Sequence, residues 1–187
     1  MNLTNKALLL TAGILGSSLV NASTASVALT NETVKSDVNF NMGTFGIGAG
    51  VSYDKDESVT AAHIELGVED SDTSGPLQVG LGARLYGIDA DLEPDDDISV
   101  ALALGGWYRY TLPEANRLSI FGSLYYAPEV LSFKNLDHMY VYELRAEYMT
   151  MRNARAFISY GKTTVIYEDD SRKIANNGFS VGASVDF

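Results

Sequence analysis

The chain has 187 residues, 46% of them apolar and none of them cysteine, with a net charge of −11 at pH 7. That length suits one domain, and the missing cysteines exclude a disulfide framework, thiolate chemistry and cysteine-held metal. The acidic balance argues against nucleic acid, whose phosphates need basic patches, and no internal run reaches the ~20 apolar residues of a spanning helix.

The first element is a leader. Lys6 precedes ALLLTAGILGSSLV at 7–20, and small residues follow. A basic start, a short apolar run and small residues after it make a secretory signal peptide. Residues 1–22 are assigned to it, with cleavage after Ala22 or as late as Ala28. The run is short for a membrane anchor and lacks a following basic stop. No cysteine stands at the cleavage site, which argues against a lipid-anchored lipoprotein. Losing Lys6 leaves the mature chain at −12. Residues 23–44, rich at first in Ser, Thr and Asn, are expected to be a flexible lead-in. Within it VNFNM at 38–42 alternates, and either extends the first strand or forms an extra one.

From residue 45 the apolar period is two, the period of strands. Eight segments show it: 45–53, 59–68, 77–87, 98–112, 118–126, 140–150, 154–167 and 178–187. In the second, Thr60, Ala62, Ile64, Leu66 and Val68 oppose Ala61, His63, Glu65 and Gly67. In the last, Phe179, Val181, Ala183, Val185 and Phe187 oppose Ser180, Gly182, Ser184 and Asp186. The segment at 154–167 alternates least cleanly. A soluble sandwich would also alternate, but with Thr, Lys and Glu for solvent on the second face. Here that face is Gly, Ala and Ser with isolated charges, which suits a narrow curved interior. The first face is nearly uncharged and carries tyrosines near strand ends, as a lipid-facing wall with an aromatic girdle does. The predicted fold is an all-β, transmembrane, antiparallel up-and-down barrel of about eight strands over residues 45–187. Alternate connections, 54–58, 88–97, 127–139 and 168–177, carry charges of −2, −6, −1 and −1. These mostly longer acidic loops belong outside the cell and the other turns in the periplasm, with both chain ends.

The terminal Phe187, with apolar residues at every second position before it, resembles the segment by which outer-membrane barrels are recognised for assembly. The stretches ALALGGWYRYTLPEANRLSIFGSLYYAPEVLSF at 101–133 and ELRAEYMTMRNARAFISYGKT at 143–163, with GFSVGASVDF at the end, resemble the YfaZ-like family of predicted outer-membrane proteins. Leu124-Tyr125-Tyr126-Ala127-Pro128-Glu129 is the most distinctive motif, and residues before 45 match poorly. The resemblance implies location and barrel form and carries no catalytic residues.

Three groups of candidate site residues stand out. The inward face holds Glu65, Glu143, Glu147 and Asp186 against Arg84, Arg109, Arg145 and Arg155, with His63 beside them. A small barrel fills its interior with side chains, and buried charges must pair. These residues therefore form either a structural ion-pair core or the lining of a narrow pore for small solutes or ions. Strand spacing around 151–153 predicts Met149 opposite Arg155, and an ion pair between Arg155 and Glu147. The second group is the terminal strand: Phe179, Val181, Val185 and Phe187. The third is the acidic loop of Asp89, Asp91, Glu93, Asp95, Asp96 and Asp97, a candidate for loose divalent-ion binding. It is no EF-hand, since Pro94 stands where Gly is required and Val100 where Glu is required. Asp137-His138, with Ser132 nearby, invites a rim-enzyme reading on the logic of a catalytic triad, but a solvated loop histidine explains it more simply. Gly46-Ile47-Gly48-Ala49-Gly50 lacks the helix and acidic partner of a nucleotide-binding loop.

The function expected is a structural or surface-interaction barrel, not an enzyme, with no cofactor. The alternative is the narrow pore, and the remote one the rim enzyme. Expected partners are outer-membrane lipid, lipopolysaccharide and the outer-membrane assembly machinery, with the barrel a monomer. Deleting Phe187 alone should lower the yield of assembled protein in isolated outer membranes. Normal yield of the truncated chain would show that the ending is incidental.

Overall fold

The computed structural model describes residues 23–70, 75–90, 98–169 and 171–187. They form one antiparallel sheet of eleven strands: β1 (Thr24–Leu29), β2 (Thr33–Asn41), β3 (Phe45–Asp54), β4 (Val59–Glu69), β5 (Leu77–Ala90), β6 (Ser99–Thr111), β7 (Leu118–Ala127), β8 (Ser132–Phe133), β9 (Leu136–Met151), β10 (Ala154–Tyr167) and β11 (Arg172–Asp186). Ten of these close into a barrel, each pairing with its sequence neighbours around the ring β1 to β7, then β9 to β11 and back to β1. The two-residue β8 stands outside the ring, paired to the loop end of β6.

The strand count therefore corrects the expected eight to ten. The eight predicted segments are β3 to β7 and β9 to β11, several of them longer than predicted. The two additional strands, β1 and β2, occupy residues expected to be lead-in, so the barrel begins at Thr24 and not at 45. Lengthening the ring by two strands keeps both chain ends at one end of the barrel. There Ser23 N donates to Phe187 O and Phe187 N to Ser23 O, both at 2.8 Å.

The wall is apolar outside. Phe179 is 76% exposed and Leu81 69%, and Ile64, Leu66, Leu124 and Val181 stand out from the same surface. A continuous band of this kind marks a surface that meets lipid. Small residues let the inward side curve. Gly182 lies directly beneath the Phe157 ring and Gly80 beneath Trp107, so a Cβ at either position would collide with the ring.

The seam is uneven. β1 ends at Leu29, opposite Val181, whereas β11 continues nine residues further to Arg172. Above the turn at 30–32, β11 therefore faces β3 without a ladder between them. Side chains bridge the gap. Asn176 N donates to Asp54 Oδ2 at 2.8 Å, and Lys173 Nζ lies 3.7 Å from Glu57 Oε2. Asp54 also accepts from Thr33 Oγ1 and from the backbone N–H groups of Asp56 and Glu57. One buried carboxylate thus ties β2, β3 and β11. Asp54→Ala should destabilise the barrel by about 1–3 kcal/mol, since buried donors are left unmatched. A lower temperature for the gel shift of the folded form checks this; an unchanged midpoint would show that water serves as well.

Candidate functional site: the charged interior

The inward rows change character along the barrel axis. At the loop end they are apolar: Ile88, Tyr125, Leu136, Met139, Val165 and Tyr167 pack into one buried cluster with smaller residues from β4 to β7, β9 and β11. Below it the interior is polar, and it is crossed from wall to wall.

Two ties make the crossing. On one side, Glu65 of β4 accepts from its cross-strand partner Arg84 Nε at 2.9 Å and from Tyr125 Oη at 2.6 Å, the latter reaching over from β7. The Arg84 guanidinium stacks 3.8 Å from the Tyr125 ring centre, so charge, ring and carboxylate form one unit. On the other side, Lys35 Nζ of β2 donates to Glu143 Oε2 of β9 at 2.7 Å. Arg145 forks onto the same carboxylate at 2.7 and 3.1 Å. Asp37 lies 3.8 Å from Lys35 and 3.6 Å from His63 Nε2, which brings β4 into this group.

Toward the chain ends the pairs are more local. Arg109 Nε meets Glu147 Oε2 at 2.9 Å across β7, and the Glu147 side chain is 1% exposed. Arg145 lies over the rings of Phe121 and Phe157, and Arg109 over Phe121. Arg155 Nη1 donates to Asp186 Oδ2 at 2.6 Å, while Thr24 Oγ1 donates to Asp186 Oδ1. Asn41 Nδ2 donates to Glu69 Oε2 at 2.9 Å.

The eight inward charges singled out from the sequence all face the interior and all pair. Their partners differ in one respect from expectation. Met149 does oppose Arg155, as the turn length predicts. Arg155 nonetheless pairs with Asp186, and Glu147 with Arg109. The predicted Arg155–Glu147 pair is not formed: Asp186 stands as near to Arg155 in register as Glu147 does, two residues diagonal on the other neighbouring strand, and Glu147 is taken by Arg109 across β7. Sequence reasoning missed Lys35 and Asp37, which stand in the supposed lead-in, and the role of Tyr125. The row Thr33, Lys35, Asp37, Asn39 and Asn41 was the available signal. Phe179, Val181, Val185 and Phe187 all point outward and are exposed. Of the acidic loop, Asp91, Glu93, Asp95, Asp96 and Asp97 lie outside the described residues; Asp89 ends an outward row of β5. At the rim, His138 Nδ1 is hydrogen-bonded to Asp137 at 2.7 Å, but Ser132 Oγ donates to the Pro128 carbonyl.

A closed barrel with an apolar wall and a polar, paired interior now has counterparts to be set against. The model of a family described as YfaZ precursor matches residues 3–187. The chain belongs to that family. It is an outer-membrane β-barrel protein, exported by a signal peptide. Among solved structures it is similar to the outer membrane protease OmpT from Escherichia coli, with a TM-score of 0.53 at 12% identity over 94% of this chain and 99% of that one. It is also similar to the KdgM porin (TM-score 0.46, 11% identity, 89% and 99% covered) and to OmpT of Vibrio cholerae (TM-score 0.44, 16% identity, 83% and 56% covered). At these identities the likeness is one of fold. No curated protein matches the chain.

Removing Arg109 strands Glu147 in a dry place, whereas removing Arg155 leaves Asp186, 27% exposed, with Thr24 and water. Arg109→Ala should therefore destabilise by about 3–5 kcal/mol and Arg155→Ala by about 1 kcal/mol or less. The double change Arg109→Ala with Glu147→Ala should recover part of the first loss. Urea unfolding in micelles measures the three variants against the wild type; equal, small losses would mean a wet interior.

Proposed function

We propose that the chain is a non-conducting, structural or surface-interaction barrel with no chemistry of its own. It stands as a monomer in the outer membrane with its acidic loops outside and its chain ends in the periplasm. The observation that carries this reading is the double tie across the interior, Tyr125 to Glu65 and Lys35 to Glu143, beneath a buried apolar cluster. A permeating ion would have to break paired buried charges and then pass side chains such as Met139 and Val165 that offer it no ligand. Acidic loops suit a surface that repels polyanions and meets cations or basic partners.

The rival reading is a narrow pore. Its support is that Arg109 and Asp186, at the chain-end mouth, keep side-chain exposures of 22% and 27%, so water reaches part of the way in. Conductance in planar bilayers discriminates. The purified barrel should give no unitary steps. Steps whose ion selectivity changes in Lys35→Ala would establish the pore instead. Orientation is tested separately: protease added to intact cells should cut within 88–97 and spare the turn at 151–153.

A further inference from the structure

The outward rows of the described strands are almost wholly apolar or aromatic, and besides His138 of β9 they carry two basic side chains. Lys162 stands on β10 and Arg172 on β11, on neighbouring strands of one wall. The acid in these rows, Asp89, is on β5, across the barrel.

Their height is set by an aromatic belt. Tyr142, Tyr160 and Phe179 sit side by side on β9, β10 and β11, with ring centres 6.4 and 5.1 Å apart. Below them the outward residues are Leu144, Ile158 and Val181, all exposed. Lys162 is the next outward residue above Tyr160 and lies opposite Tyr142. Arg172 is higher, opposite Ile166, and its Nη2 donates to Tyr140 Oη at 2.9 Å. Tyr140 thus stands between the two cations on the adjoining strand. Rings of this kind mark the hydrocarbon boundary, and cations just beyond it stand at headgroup depth.

The two charges are also uncommitted. Each interior cation has a carboxylate: Lys35 and Arg145 share Glu143, Arg84 has Glu65, Arg109 has Glu147 and Arg155 has Asp186. Lys173 has Glu57. Among the described residues, Lys162 and Arg172 have none. Of the acids near them, Asp137 is hydrogen-bonded to His138 and Asp169 accepts from the Ser171 N–H. On a chain of net −11, two cations kept on the lipid-facing wall with no carboxylate partner among the described residues suit an anion from outside.

We propose that Lys162, Arg172 and Tyr140 form a binding site for a phosphorylated lipid of the outer leaflet. Its phosphates engage the two cations, and its acyl chains lie on the Tyr142–Tyr160–Phe179 belt and the apolar wall below. The inference rests on the loop end facing outward. The guanidinium forks onto phosphate oxygens, the ammonium supplies a second point charge, and the Tyr140 hydroxyl, already oriented by Arg172, adds a polar contact.

The test uses the refolded full mature chain in detergent, where orientation plays no part; the protease experiment on cells reads orientation independently. The probes are lipid A with both phosphates, lipid A chemically stripped of phosphate, and inorganic phosphate. Binding is followed by the rise in the temperature at which the folded gel band is lost. Intact lipid A should raise that temperature in a saturable way, and the other two probes should not. The Lys162→Gln, Arg172→Gln double variant should fold to the same heat-shifted band and bind lipid A roughly tenfold or more weakly, as two charge-assisted contacts are lost. Should the double variant fail to fold, Lys162→Gln alone should still weaken lipid A. Undiminished binding by the variant would overturn the site. An equal response to stripped lipid A would leave only the belt acting, and an equal response to inorganic phosphate would make this an anion site without lipid specificity; either overturns the proposal.

Discussion

Everything in this molecule depends on closing the sheet. In hydrocarbon no water is available to satisfy an N–H or a C=O, and an open edge costs several kcal/mol per group. The chain solves this with the short β1, whose six residues pair with β11 on one side and β2 on the other. The Ser23–Phe187 backbone pair finishes the ladder at the chain ends. Closure here joins β1 to β11, so the ring cannot exist until both of these strands have been delivered. Where β1 runs out, at Leu29, the ladder is replaced by Asp54 and Glu57 reaching to β11. That substitution occurs just above Phe179, at the upper border of the aromatic belt, where water can again take part.

Closure with ten strands sets a second problem. A ring wider than eight strands has more interior than Gly, Ala and Ser can fill. Long side chains do the filling: Tyr125 and Lys35 cross it, and Arg84, Arg109 and Arg145 lay their guanidinium groups over rings. Burying so many charges is costly unless each is matched, and the matching ties together strands that share no ladder. Lys35 to Glu143 joins β2 to β9, and Arg109 to Glu147 joins β6 to β9. The interior thereby braces the ring across its width, a task that the ladder, which links only neighbours, cannot perform.

This division explains what the sequence could convey. An exposed apolar row at period two is a local signal, and the eight strands that carry a long one are legible, as are the inward positions of Glu65, Arg84, Arg109, Glu143, Arg145, Glu147, Arg155 and Asp186. β1 is not, and β2 is legible only in its second half, where 38–42 alternates, because an inward row of Thr33, Lys35, Asp37, Asn39 and Asn41 has the composition of a solvated tail. Only the outward Val34, Val38 and Phe40 mark it, and Ser36 interrupts them. The ion-pair partners are harder still. The register of β9 and β10 follows from a short turn, but that register leaves Glu147 and Asp186 equally placed, two residues diagonal from Arg155 on the two neighbouring strands. With eight strands in mind, Lys35 has no place in the interior and Glu143 lacks its second cation.

The least regular segment, 154–167, carries the most information about depth. Along β9 the inward residues Glu147, Arg145 and Glu143 are charged while the outward Tyr148, Ala146 and Leu144 are apolar. Above Tyr142 the faces exchange: Val141 and Met139 turn inward and are buried, and His138 turns outward. β10 does the same, from Arg155 inward and Ile158 outward to Val165 inward and Lys162 outward. β5 turns from Arg84 inward and Leu85 outward to Ile88 inward and Asp89 outward. The period stays at two, but its phase of polarity reverses, and a search for one apolar row sees disorder at the reversal. Its physical cause is the change of solvent. Within hydrocarbon the apolar face must look out. Beyond it the same strands project into water, where the hydrophobic effect drives apolar side chains inward to a core of their own. The level at which the faces exchange, marked by Tyr142, Tyr160 and Phe179, is therefore where the barrel leaves the membrane.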